Sequence, residues 1–315
     1  MSVNTRLSPV RPRDRVHDLL AGYPVDRTPI GEVTVSDRLV RELVGLHPDH
    51  PVPWGARRAV IERLGHDLVT VSFMGQPLDD ALFWVRQWRS ETDLFVVAMM
   101  PGLLVQATRA WGTATTKEYL LERSSRLSSL FADSVLELQR LAREAASAGA
   151  DALMISDPLA GREGLRWPPE RLRQMYFPFV TLLAEIVHRQ GLLLFLRAPG
   201  PVMPILEDIV AAGVDGLQGF CEGDQGTIEE LRAIVGDRFC LWGGVDTTLL
   251  SLPDVETWLT HYLRPWASGP KGIPAILGTR NGLTDELELA GVERLDSIWA
   301  AVESRPRRLG VSLRL

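Results

Sequence analysis

Leu192-Leu193-Leu194-Phe195-Leu196-Arg197-Ala198-Pro199-Gly200 runs five apolar residues unbroken into an arginine and then stops at Pro-Gly. A run without polar alternation is what a strand buried on both faces looks like, as in a parallel sheet covered by helices. Working outward, helices are expected on either side, over 168–189 and 202–212. The unit repeats. A strand over 152–156 precedes the first of these helices. Strands over 214–219, 239–242 and 273–277 alternate with helices over 227–235, 253–266 and 291–303. Toward the N-terminus the pattern predicts helices over 13–21, 37–46, 56–64 and 126–147, and another from Pro101-Gly102 to Trp111. Strands are expected there over 30–35, 68–72 and 94–99. The stretch 75–93 follows no single period and is expected to hold a short hairpin containing Trp84 and Trp88.

Eight strands alternating with helices predict an α/β fold, a (β/α)8 TIM barrel. A doubly wound sheet is the competing arrangement. It would place a glycine-rich turn after its first strand, where this chain has Val35-Ser36-Asp37. The 315 residues suit one barrel over 13–315 preceded by a tail over 1–12.

The net charge of −6 and the lack of a basic stripe argue against a nucleic-acid partner, whose phosphates call for clustered cations. No apolar run approaches the roughly 18 residues of a membrane span. Met1 to Arg15 has no apolar core of a secretory signal, so a cytoplasmic protein is expected. Cys221 and Cys240 are the two cysteines, too few for a disulfide scaffold or a four-thiolate metal site. Lysine occurs only at 117 and 271, which leaves two amines for any Schiff-base chemistry, with or without pyridoxal phosphate.

Several signals recur in a telling order. Gly149-Ala-Asp151 opens a strand ending at Ser156-Asp157-Pro158, and Pro169-Glu170 opens a helix containing Tyr176-Phe-Pro178. Gly213-Val-Asp215-Gly216 opens another strand, and Asp237-Arg-Phe-Cys-Leu-Trp242-Gly243-Gly244-Val245-Asp246 follows a helix. At the front stand Arg15-Val16, Leu20-Ala-Gly22 and Val25-Asp26-Arg27-Thr-Pro29. Over about 13–304 this order resembles the uroporphyrinogen decarboxylase superfamily, which includes porphyrinogen decarboxylases and zinc methyltransferases linked to cobalamin carriers and thiols. The resemblance implies the barrel and a homodimer. It also marks departures. Where the methyltransferases carry His-x-Cys-Gly, this chain has Arg197-Ala198-Pro199-Gly200, and near the family's third ligand, a cysteine, it has Gly278-Thr279-Arg280. The Arg-Gln-Ala-Gly-Arg run of the porphyrinogen decarboxylases is absent from Pro29 to Asp37, and their late His-Gly pair is replaced by Arg280-Asn281-Gly282. The implied zinc and tetrapyrrole chemistries therefore lose their residues, and no metal or organic cofactor is expected.

Barrel enzymes act at the C-terminal ends of their strands, which directs attention to a short polar set. Arg197 and Arg280 suit an anion clamp, since guanidinium forks match carboxylates or phosphates. Asp157, with Glu222 as the alternative, is the expected proton donor, and Arg197 and Arg280 complete the catalytic group; acid work would need burial to raise the carboxyl's pKa. Glu32, Gln218, Glu222, Asp246 and Arg109 are expected substrate-binding residues, Glu32 by pointing into the barrel and Asp246 with the alternative of capping the next helix. Cys221 reads as a nucleophile or as inert packing. The six histidines fall on helices or on loops that precede strands, except His47 and His50 in the first loop, which leaves little for a histidine metal site or triad.

These residues predict a cofactor-independent lyase, a decarboxylase-like enzyme of specialised metabolism acting on a small or medium carboxylic acid other than the usual porphyrinogen. The expected partner is that small anionic substrate. Two alternatives stay open: a methyltransferase related to the cobalamin and thiol branch, and a barrel that binds a small molecule without turnover.

Overall fold

The computed structural model describes residues 10–161, 163–221, 228–266 and 274–309. Seven strands form one curved sheet in chain order: β1 (Leu68–Ser72), β2 (Phe95–Pro101), β3 (Ala152–Ser156), β4 (Leu193–Arg197), β5 (Gly216–Cys221), β6 (Cys240–Val245) and β7 (Ala275–Thr279). Every pairing is parallel. Ala160–Gly161 and Gly164–Leu165 pair as two short antiparallel strands outside that sheet.

The stretch 30–35 is not a strand, as had been expected, but a bridging segment. Its bridges are isolated ones, Ile30 with Leu277 and Val35 with Leu283. It nevertheless bonds to both edges of the sheet: Gly31 N donates to Leu277 O (2.9 Å), Leu277 N to Pro29 O (2.8 Å) and Asp67 N to Ile30 O (2.7 Å). Pro29 has no N–H to give, and the Trp242 indole takes the Gly31 carbonyl (2.8 Å), so a regular ladder is interrupted.

Alternation along each strand divides the core in two. Phe95, Met99, Met154, Phe195, Trp242 and Ile276 pack together on the inner face. Their neighbours Val96, Met100, Ile155, Leu194, Leu196 and Leu241 pack outward against the helices. Among these helices are α1 (Pro12–Leu20), α2 (Asp37–Val44), α3 (Trp54–Leu64), α4 (Leu78–Glu91), α5 (Leu103–Leu121) and α6 (Ser125–Ala148). The expected helix over 168–189 is two, α7 (Pro169–Met175) and α8 (Phe177–His188), meeting at Tyr176 just before Pro178. Further on lie α9 (Leu206–Ala211), α10 (Ile228–Val235), α11 (Val255–Leu263) and α12 (Leu289–Val302).

The hairpin expected over 75–93 is the helix α4. Ala81, Leu82, Val85 and Trp88 are its buried stripe, and Asp79 and Asp80 sit in its first turn, where carboxylates meet the positive end of the helix dipole. Trp88 is buried, and Trp54 packs on both Trp84 and Trp88, with ring centroids 6.0 and 4.5 Å apart.

A Gly-x-Asp motif recurs at the start of alternate strands: Gly65-His66-Asp67, Gly149-Ala150-Asp151 and Gly213-Val214-Asp215. Gly65 and Gly149 end α3 and α6 in the left-handed region, where a side chain is strained. Each aspartate then accepts the backbone N–H of the preceding sheet segment: Asp67 from Ile30 (2.8 Å), Asp151 from Val96 (2.9 Å) and Asp215 from Leu194 (2.7 Å). The motif thus stitches neighbouring segments at the N-terminal end of the sheet. Among the described residues no helix is long and apolar enough to cross a membrane.

Candidate active site at the C-terminal ends of the strands

Register places Pro101, Ser156, Arg197, Gln218 and Trp242 in one row across β2 to β6. Arg197 follows inward-facing Phe195 by two residues, and Gln218 stands between outward-facing Leu217 and the irregularity at Gly219, so both side chains face the interior. They top an apolar floor of Phe195, Met154 and Trp242.

Arg197 is partly buried, and burial lowers its pKa from the ordinary arginine value. Its Nη2 donates to Asn281 Oδ1 at 3.2 Å, and among the described residues it forms no ion pair with a carboxylate. Gln218 is fully buried. Its Nε2 donates to the carbonyl oxygens of Thr279 and Arg280, both at 3.2 Å. Arg280, one residue before Asn281, is steered by Asp246, whose Oδ2 lies 3.2 Å from its Nη1. Its Nε and Nη2 also donate to Cys221 Sγ. Asp246 carries a second duty: its Oδ1 accepts from Thr248 N (3.0 Å) and Thr248 Oγ1 (2.8 Å), capping the short helix over Thr247–Ser251. The structure thus gathers Arg197, Gln218, Arg280 and Asp246 at one end of the sheet.

Three expected residues fall elsewhere. Asp157 follows inward-facing Ser156 and so turns outward. Its Oδ1 accepts Val105 N (2.9 Å) at the start of α5, and its Oδ2 accepts the Tyr176 hydroxyl (2.8 Å). Burial pushes its pKa up to about 7 against these hydrogen bonds, and Tyr176 is raised well above its usual value by burial and by Asp157. Gly102 is required beside it, because any Cβ there would overlap the carboxyl. The carboxyl expected to donate a proton at the mouth is therefore a buried cap beneath α5. Glu32 also faces away from the interior, on the side of Ile30. Its Oε2 accepts Thr279 N (2.9 Å) and Thr279 Oγ1 (2.6 Å), and burial raises its pKa to about 7. Arg109 is exposed on α5 in a separate cleft of about 570 Å³ lined by Phe73, Gln76, Pro101, Gln106 and Arg140. Glu222 lies outside the described residues.

Asn281 and Tyr176 carry geometry that the sequence reading did not weigh. Asn281 had a usable signal: it precedes Gly282, in the left-handed region with φ 84°, right after the last strand. Tyr176 had none, because its partner is 19 residues away across two elements. The residues at the zinc-ligand positions of the resembling methyltransferases do not fit that metal. Guanidinium and proline supply no ligand there, and no group of three or more His, Cys, Asp or Glu converges among the described residues.

No protein-family model matches the chain, and no curated protein sequence matches it. Its fold is similar to solved structures. A methyltransferase from Methanosarcina mazei aligns with TM-score 0.71 at 19% identity, covering 93% of this chain and 98% of that one. D-psicose 3-epimerase from Clostridium cellulolyticum H10 aligns at 0.49 and 11% identity, over 79% and 92% of the two chains. A B12-independent methionine synthase from Shewanella sp. W3-18-1 aligns at 0.48 and 13%, over 71% and 65%. At these identities the likeness to the first is one of fold: a parallel, barrel-like α/β sheet.

Proposed function

We propose that this chain is a metal-independent enzyme of the uroporphyrinogen decarboxylase-like barrel type, a lyase removing carbon dioxide from a small or medium carboxylic acid. One observation carries the proposal. Arg197 faces the interior at the C-terminal end of the sheet, partly out of water, with Asn281 as its side-chain partner and no carboxylate paired to it among the described residues. A cation partly withdrawn from water without a counter-charge loses hydration that an anion in its place would offset. Arg197 holds a substrate carboxylate. Arg280, held by Asp246, stabilises negative charge as it develops. A proton from solvent adds to an electron-rich ring of the substrate, the carbon–carboxylate bond then breaks, and its electron pair returns to the protonated ring as carbon dioxide leaves, without a bound cofactor. Asp157 has no part in this scheme, because its carboxyl is committed beneath α5.

A second reading, methyl transfer, draws support from the extent of the likeness to the Methanosarcina mazei methyltransferase. It would proceed without the zinc ligands of that branch. The experiment measures carbon dioxide release from a panel of carboxylic acids, and methyl transfer from labelled donors to thiols, by wild type and by the double variant Arg197→Met/Arg280→Met. Release that falls at least about a hundredfold in the double variant supports the lyase. Full release by the double variant removes its basis, and label found in the thiol establishes the second reading.

A further inference from the structure

The cleft of about 570 Å³ that Arg109 lines is open between the start of α4, the middle of α5 and α6. It reaches the sheet at Phe73, just past β1, and at Pro101, the last residue of β2, and it shares no residue with the group of Arg197, Gln218, Arg280 and Asp246. Phe73, Leu78 and Leu141 line it, and each packs on the outer core while staying only half-buried. The charges on its wall are one closed set and one open group. Arg140 is bound to Glu137 (2.6 Å) and to Glu144, and it holds the Glu137 carboxyl below the usual range. Arg109 is exposed and makes no hydrogen bond or ion pair among the described residues. Other helical arginines find a carboxylate one turn away, as Arg38 does in Glu42, Arg58 in Glu62 and Arg189 in Glu185. Arg109 has Val105, Gln106, Gly112 and Thr113 at those spacings, none of them an acid.

We propose that this cleft is a second ligand site, for a small carboxylic acid with an aryl or alkyl body, its carboxylate on Arg109 and its apolar part against Phe73, Leu78 and Leu141. The inference is independent of the reading of Arg197. The cleft's volume falls within the roughly 300–1,000 Å³ of small-molecule sites, and an apolar wall with few polar groups is their usual lining. Covering the three half-buried apolar side chains supplies the affinity, at about 25 cal/mol for each Å² of apolar surface removed from water. The guanidinium supplies the choice of an anion over a neutral ligand of the same shape. The Glu137 carboxylate, which would repel an acid, is already neutralised by Arg140.

The test titrates 3-phenylpropanoate, octanoate, acetate and the neutral 3-phenylpropanamide calorimetrically into the whole protein, with Arg197→Met as a second background that removes the mouth's cation. In both backgrounds 3-phenylpropanoate or octanoate is expected to bind at least tenfold more tightly than acetate. 3-Phenylpropanoate is expected to exceed its amide by about fivefold, the upper end for an exposed ion pair. Arg109→Met is expected to bring that acid-to-amide ratio to about one. Ala110→Phe, which adds a ring to the exposed face of α5 at the cleft and leaves the charge in place, is expected to weaken acid and amide alike. No binding of either long acid in the Arg197→Met background, or binding that Arg109→Met and Ala110→Phe both leave unchanged, overturns the inference. Binding lost in Arg197→Met but kept in Arg109→Met puts the acid at the mouth, which overturns the cleft site and supports the reading of Arg197. A dimer in sedimentation that dissociates as the acid binds would give the cleft to a second copy of the chain and also overturn it.

Discussion

Asp67 at one end of the sheet and Arg197 at the other are treated in opposite ways. At the N-terminal end, Asp67 is fully buried and saturated. Arg15 and Arg27 reach it at 2.5 and 2.7 Å, and the Ile30 amide bonds the same carboxyl. Asp151 likewise receives Arg13, His17 and the Val96 amide, which together hold its pKa below the usual carboxylate value despite burial. At the C-terminal end, Arg197 forms no ion pair among the described residues and Gln218 Oε1 has no donor. Complete pairing serves stability, whereas the open guanidinium stands at the strand ends where barrels do their chemistry, which is what the proposed ligand role draws on. The same residue type, arginine, sits at both ends, so the comparison can be tested by removing one group from each.

The largest effect is expected at Asp67. Asp67→Ala strands the Arg27 guanidinium and the Ile30 amide and takes from Arg15 one of its two carboxylates, Asp26 remaining, and should cost about 3 kcal/mol of unfolding free energy. Urea denaturation reads it, and a loss below about 1 kcal/mol would mean that the clamp is ornamental.

Asp157 comes next. If its carboxyl is a cap, Asp157→Ala should cost about 2 kcal/mol by freeing the first turn of α5 and leaving the Tyr176 hydroxyl unpaired. A fully stable variant that loses turnover would instead restore the proton-donor role.

Glu32 gives a pH test with a definite sign. Burial raises its folded pKa from 4.5 to about 7, so the folded protein holds a proton there that the unfolded chain has already released. Its contribution is present below about pH 4.5 and is lost as pH rises through 7. Glu32→Gln, which imitates the protonated form, should therefore gain stability relative to wild type between pH 5 and 8. A relative stability that stays flat across that window would show that Glu32 is ionised throughout. His66, buried and lowered to about 3, acts in the opposite direction, and referring the variant to wild type at each pH cancels it.

The smallest change in stability is expected at Arg197. Arg197→Met should alter the unfolding free energy by less than about 1 kcal/mol, in either direction, because no ion pair among the described residues is broken. A loss like that at Asp67 would show that the guanidinium is structural and that the two ends do not differ.

Much of this was legible in the chain. Unbroken apolar runs such as 192–196 mark the central strands because burial on both faces leaves no polar alternation to read. The positions of Arg197, Gln218, Arg280 and Asp246 follow from one rule about strand ends, and the structure places all four there. What escaped had physical reasons. The parity of a strand decides which way a residue faces, and a single step separates Ser156, which faces in, from Asp157, which faces out. Glu32 lies on a bridging segment where no ladder fixed the alternation. In α4, Phe83 interrupted the helical stripe with a large apolar side chain on the outer face, where it is 53% exposed. The unpaired state of Gln218 Oε1 depends on two carbonyls some 60 residues away, which no local pattern encodes.

The proposed hold of Arg197 on a substrate carboxylate is tested by a crystal structure of the protein saturated with an acid shown to bind. Carboxylate oxygens are expected within about 3 Å of the Arg197 guanidinium. An Arg197 paired to a carboxylate of the protein's own, with the acid bound elsewhere, would contradict it.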